Sequence, residues 1–96
     1  MKTYKIFDVY VNDGVVYIHC TDPDTIKTII REAKQYVPSM RSNEGTYGAH
    51  LDKLQNREYQ VKWWIMQQLC LKGWEPFGVT YGTFEGSYSL RLEETF

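Results

Sequence analysis

The stretch LDKLQNREYQVKWWIMQQLCLKGWEPFG, Leu51 to Gly78, constrains this chain more than any other. On a wheel advancing about 100° per residue, Leu51, Leu54, Val61, Trp64, Ile65, Leu69 and Leu71 gather on one broad face. Tyr59, Trp63, Met66 and Cys70 gather on the opposite face. A helix on the surface of a monomer needs only one apolar stripe. Two opposed stripes predict a helix from about Leu51 to Lys72 that is covered on both sides, with Gly73 as its left-handed stop. One stripe is expected on a sheet. The other is expected against the first helix, the preceding loop or a second subunit, because exposing Tyr59, Trp63 and Met66 together leaves a sticky patch. Tyr59, Trp63, Met66 and Cys70 are therefore the expected oligomer interface.

The rest of the chain supplies the sheet. Residues 3–11 alternate, with Tyr4, Ile6, Asp8 and Tyr10 on one side and Lys5, Phe7, Val9 and Val11 on the other. Asn12-Asp13-Gly14 then turns the chain into Val15–Cys20, a hairpin rich in β-branched and aromatic residues. Phe7, Val9 and Val11 are the expected core face; the inward face of the second strand stays ambiguous because both faces are largely apolar. Asp22-Pro23-Asp24 is a helix start, with an N-cap residue, a proline at the first position and an acid at the positive end of the helix dipole. Ile26, Ile29, Ile30, Ala33 and Val37 share one helical face, and Pro38 stops the helix. Residues 38–50 lack periodicity and read as a long loop. After Gly73, Phe77, Val79 and Tyr81 share a strand face, Phe84-Glu85-Gly86 turns, and Tyr88, Leu90 and Leu92 alternate in a last strand. Gly78 and Gly82 leave room on the opposite face for a helix, another backbone or a ligand. The order predicts a single α+β domain over 1–96. Two β-hairpins would form a mostly antiparallel sheet with two helices on one face, or a sheet shared across a dimer through an edge strand.

Composition removes several function classes. A net charge of −1 without basic or acidic blocks argues against nucleic-acid binding by bulk electrostatics. No apolar run has the length to span a bilayer, and the alternating first residues lack the apolar core of a signal peptide, so a cytoplasmic, non-membrane protein is expected. Cys20 and Cys70 read as reduced thiols, in keeping with such a compartment. The aromatic share of 16% is high and suits interfaces and ligand pockets as well as cores.

The C-terminal half, read as Leu69, Leu71, Lys72, Gly73-Trp74-Glu75, Phe77, Val79, Tyr88, Leu90 and Arg91, resembles the small bacterial family called domain of unknown function 4177. The resemblance spans roughly residues 61–92, about a third of the chain. It departs from the family at Pro76 and in its longer N-terminal part. It implies a compact α+β domain of the kind found in bacteria or their viruses, and it carries no catalytic residues across. Gly73-Trp74-Glu75 also has a purely structural reading: helix stop, core aromatic, surface acid.

Catalytic and metal chemistry find no pattern here. His19 and Cys20 are adjacent on a strand, so their side chains point to opposite faces. Two scattered histidines do not make a metal site, and no Gly-rich phosphate motif is present. The expectation is a non-enzymatic protein with no metal and no cofactor. Two functions from different classes remain. The first is a homo-oligomeric module binding a small anionic molecule such as a nucleotide through Arg41, Asn43, Tyr47, His50, Arg57, Trp74 and Arg91. Arginine offers forked donors for phosphate and the rings offer stacking. By analogy it matches a virus-encoded protein that sequesters a nucleotide signal. The second is a protein-interaction or structural module that works through the Tyr59/Trp63/Met66/Cys70 face.

Overall fold

Strand alternation decides which side of the sheet becomes the core. In the computed structural model, which describes residues 2–80 and 87–95, β1 (Lys2–Asn12) and β2 (Val15–Cys20) pair antiparallel with Tyr10 opposite Tyr17 and Asp8 opposite His19. Phe7, Val9 and Val11 turn inward as expected, and Val16, Ile18 and Cys20 resolve the ambiguity of the second strand by joining them in the core. Asp13 and Gly14 make the turn with positive φ.

Helix α1 (Pro23–Tyr36) buries Ile26, Ile29, Ile30 and Ala33 on the stripe that the spacing predicts. Asp22 is its N-cap residue, yet the side chain makes no capping bond to the backbone. Its Oδ2 instead accepts from the Thr25 hydroxyl at 2.6 Å and from Lys5 Nζ at 3.3 Å. Thr25 foremost, and then Lys5, holds the Asp22 carboxyl below its ordinary pKa.

Residues 38–50 are not a long loop. They contain β3 (Arg41–Glu44) and most of β4 (Gly48–Asp52), a third hairpin closed by the Gly45 N–H donating to the Gly48 carbonyl at 2.8 Å. The strand β3 is a polar edge whose side chains are exposed or half-buried, so it leaves no apolar alternation in the sequence. The second helix is correspondingly shorter than expected. Leu51 lies in β4, and Lys53, Gln55 and Asn56 take positive φ between strand and helix. Helix α2 then runs Glu58–Leu71. Leu51 and Leu54 still reach the core, through strand and turn rather than helix.

At the end of α2 the Trp74 N–H donates to the Leu69 carbonyl at 3.0 Å, and Gly73 takes φ +95°. This six-to-one closure is a Schellman stop. It turns Trp74 inward, where its ring meets Phe7 edge-on at 6.0 Å. Strands β5 (Glu75–Thr80) and β6 (Ser87–Thr95) complete the sheet, β6 pairing with β1 and β5 forming the edge. A register shift between Pro76 and Gly78 leaves Phe77 exposed. The expected Tyr81, Gly82 and Phe84-Glu85-Gly86 features lie outside the described residues.

The fold is α+β: a six-stranded antiparallel sheet in the order β3-β4-β2-β1-β6-β5, with both helices against one face. Helix α2 covers the sheet with Val61, Ile65 and Leu69 and meets α1 through Trp64, stacked on Tyr36 at 5.0 Å. Its outer side carries Tyr59, Trp63 and Cys70, all exposed, while Met66 is half-buried against the core. Leu71, grouped by the wheel with the inward stripe, is 75% exposed at the helix end.

Candidate functional site

The residues that alternate away from the core build the other face of the sheet. Cross-strand register sets them in rows perpendicular to the strands. One row runs Asn43, His50, Tyr17, Tyr10 from β3 to β1. Its rings stand against one another: Tyr10 and Tyr17 are stacked at 5.0 Å and 6°, and Tyr17 meets His50 at 4.6 Å. Burial within this ladder, with Tyr17 as a second cause, pushes the Tyr10 phenol above its ordinary pKa. Such pairs contribute about 0.5–1.5 kcal/mol beyond area burial. They hold an aromatic face rigid in water without a helix over it.

The adjoining row runs Gly48, His19, Asp8, Ser89, Gly78 from β4 to β5, with a glycine at each end. At the usual strand spacing it is about 19 Å long. Gly48 is required here, because a Cβ would stand 2.7 Å from the His19 ring and 3.0 Å from the Ile18 carbonyl. Ser89 Oγ donates to Asp8 Oδ1 at 2.5 Å and pins that carboxylate. The acid sits between Ser89 and His19, so this is not a nucleophile activated by a base.

Two hollows open at the end of these rows and share Tyr47 and His19 as a common wall. One, of about 520 Å³, is lined by His19, Asn43, Glu44, Gly45, Tyr47, Gly48, Ala49 and His50. The other, of about 470 Å³, is lined by Ile6, Asp8, His19, Cys20, Thr21 and Tyr47. Tyr47 is 60% exposed, and its carbonyl accepts the Cys20 N–H at 2.9 Å, so the tip of the β3–β4 hairpin is tied to the end of β2. Both volumes are of the size that takes a small organic molecule.

Of the seven residues expected to bind ligand, Asn43, Tyr47 and His50 meet here. The other four do not join them. Arg41 lies on the same hairpin but is bound in bidentate fashion to Asp52, Nε to Oδ1 at 3.0 Å and Nη2 to Oδ2 at 2.7 Å. Arg57 sits at the start of α2 with its guanidinium over the Tyr36 ring at 5.1 Å. Trp74 is a core residue, 5% exposed. Arg91 bonds Glu75 at 2.7 Å and lies over the Tyr4 and Phe77 rings, toward the far edge of the sheet. Each arginine thus has an anionic or aromatic partner of its own.

His19 and Asp8 complete the site. The strand alternation did put Asp8 on the face opposite Phe7; what it lacked was the pairing that sets Asp8 beside His19. Cys20 borders the second hollow, but burial pushes its thiol above the ordinary range and the Asp22 N–H donates to its Sγ at 3.3 Å. A thiol so placed is a poor nucleophile. No group of three or more His, Cys, Asp or Glu able to hold a metal ion is present among the described residues. None of the described helices is long and apolar enough to cross a membrane.

The helix side carries a different candidate surface. Trp63 is 58% and Tyr59 45% exposed, with ring centroids 6.2 Å apart. Lys62 is buried beside them, its ammonium 5.2 Å from the Tyr59 ring and 4.8 Å from that of Tyr88.

Comparison of the chain with family models, with curated proteins and with solved structures returns no match.

Proposed function

We propose that this protein is a non-enzymatic binding module whose open sheet face receives a small planar molecule, of which a nucleoside or nucleotide base is the best fit. The observation that carries this reading is the meeting of Asn43, Tyr47, His50 and His19 around two adjoining hollows of about 520 and 470 Å³. Tyr47 and His19 offer flat surfaces for a ring, and the Asn43 amide offers both a donor and an acceptor for its edge. The ladder from Tyr10 through Tyr17 braces His50 from outside the hollow that His50 lines, so little ordering entropy is lost at that ring on binding. The three arginines expected to hold a phosphate are engaged elsewhere. The ligand is therefore held by its ring, and an anionic group on it points outward.

A thermal-shift and calorimetric panel of nucleosides and nucleotides tests this. A ligand at a hundredfold excess over its Kd stabilises the fold by about 2.7 kcal/mol. The expected result is a rise in Tm that Tyr47→Ala abolishes. A flat panel, with no member shifting Tm or releasing heat, refutes the reading.

A second reading rests on a separate observation. Tyr59 and Trp63 stand side by side and exposed on α2, and large exposed aromatics of this kind serve contact surfaces. We infer that this side of α2 meets a protein partner, with a second copy of the chain as the first candidate. Light scattering reports the mass directly. A dimer that Trp63→Glu converts to a monomer supports self-association, and a monomeric wild type removes it.

A further inference from the structure

We infer that Asp8 reads the edge of the bound ring, and that the site selects a ring with two adjacent N–H donors, as guanine has. The inference rests on the proposal that the open face binds a base, and it goes further by naming the base and the residue that chooses it.

The hollow beside Tyr47 is bordered mainly by apolar and ring groups, among them Ile6, Cys20, Tyr47 and His19. Among the described residues of this wall Asp8 is the one carboxylate. Its Oδ1 accepts from Ser89 Oγ at 2.5 Å, which fixes the plane of the group from the far side of the row. Oδ2 has no hydrogen-bond donor among the described residues. An ionised carboxylate only accepts hydrogen bonds, and its two oxygens can accept a parallel pair of donors. A ring that enters this hollow is therefore sorted by what it presents to Asp8.

The common bases differ sharply in that respect. Guanine carries N1–H and N2–H side by side. Adenine and cytosine place a ring-nitrogen acceptor beside their one amino donor, and that lone pair would face the carboxylate. Uracil flanks its single N–H with two carbonyl oxygens. Only the guanine edge meets both oxygens of Asp8 without repulsion. Charge supports this choice over a phosphate in the same place. Asp8 borders one hollow and Glu44 the other, and among the described residues no lysine or arginine lines either. A phosphate set against these carboxylates is repelled, whereas a neutral ring with donors is not. Sites that present a polar group for a specific partner discriminate strongly, because a wrong ligand leaves that group desolvated and unpaired.

The experiment measures guanosine, inosine, adenosine and methylguanidine by calorimetry on the full chain, with Asp8→Asn and Tyr47→Ala beside the wild type. Asparagine keeps the shape of the residue and can still accept from Ser89, so D8N preserves the packing; its Tm is recorded to confirm folding. Guanosine is expected to bind best, with inosine weaker because it lacks the N2 amine, and adenosine weakest. D8N is expected to weaken guanosine by roughly tenfold to a hundredfold, the usual scale for one lost charged hydrogen bond, and to strengthen adenosine, because the amide N–H that replaces Oδ2 donates to the ring nitrogen that the carboxylate repels. Equal binding of guanosine and adenosine, lost together in Tyr47→Ala and untouched by D8N, overturns the inference and leaves the ring-binding function standing. Methylguanidine binding as tightly as guanosine also overturns it, since the hollow then reads a guanidinium rather than a base. Binding of no ring ligand defeats both the inference and the function it rests on.

Discussion

The two faces of this sheet are made by alternate residues of the same strands and are stabilised in different ways. The covered face gathers Phe7, Val9, Val16, Ile18, Leu51 and Leu90 under two helices, and each is fully buried. Its cohesion is non-directional, from apolar area removed from water. The open face has rings, ion pairs and one pinned carboxylate, each with a specific neighbour: Tyr10 with Tyr17, Arg41 with Asp52, Arg91 with Glu75, Asp8 with Ser89. Cohesion there is directional and pairwise. A face built this way tolerates water and stays available to a ligand, which the covered face cannot do.

Substitutions on each side test that contrast, beginning with the largest effect. Phe7→Ala empties a fully buried site against Trp74 and is expected to cost about 3–5 kcal/mol, read as loss of denaturation midpoint. A loss below about 1 kcal/mol would mean that the covered face does not hold the fold. Gly48→Ala comes next. The new Cβ meets the His19 ring at 2.7 Å and the Ile18 carbonyl at 3.0 Å, so a loss of about 1–3 kcal/mol is expected. Pairing it with His19→Ala should recover only part of this, because the backbone carbonyl remains. Full recovery would show that the ring alone sets the glycine requirement.

Smaller effects probe the pairs. A double-mutant cycle on Tyr10 and Tyr17, each changed to Ala, is expected to return a coupling of about 0.5–1.5 kcal/mol. A coupling near zero would make the ladder a mere adjacency. The smallest effect concerns acid. Asp22, at the start of α1, has its pKa lowered in the folded protein by Thr25 and by Lys5. A lowered folded pKa means that its stabilisation is present above the unfolded aspartate value, about 3.9, and is lost as pH falls through the folded value. Asp22→Asn should therefore flatten the stability curve of the protein below about pH 4. An unchanged acid limb in the variant would assign the acid sensitivity to other carboxylates.

The sequence disclosed what apolar spacing governs. Phe7, Val9 and Val11, the stripe of α1 and the α+β class depend on the period of hydrophobic residues, the stop at Gly73 depends on the positive φ that glycine accepts, and all are found. The turn into Trp74 was legible for the same reason. The hairpin β3–β4 was not. Arg41-Ser42-Asn43-Glu44 is an edge strand with polar groups on both sides, and its existence depends on backbone pairing with residues 49–52, which composition does not encode. The candidate site suffered the same limit. Asn43, Tyr47 and His50 were near enough in sequence to be grouped. Arg57, Trp74 and Arg91 were grouped by chemical type, and the fold sends them to the helix layer, the core and the far sheet edge. His19 and Asp8 become neighbours only through the register of two strands.

The Ser89–Asp8 bond joins residues 81 apart in the chain. The whole β1–β6 pairing has this character, with Lys2 opposite Thr95 and Val9 opposite Tyr88. Contacts of such separation close a long loop of chain before they yield any energy, and they slow folding. The hairpins β1–β2 and β3–β4 have no such delay. Asp8 can therefore stand in a formed hairpin while Ser89 is still far away, its carboxylate free to turn. Only the arrival of β6 fixes its plane. A ligand that depends on that plane would bind the finished fold and ignore the nascent one, so the rate at which binding competence appears on refolding would time the last long-range step.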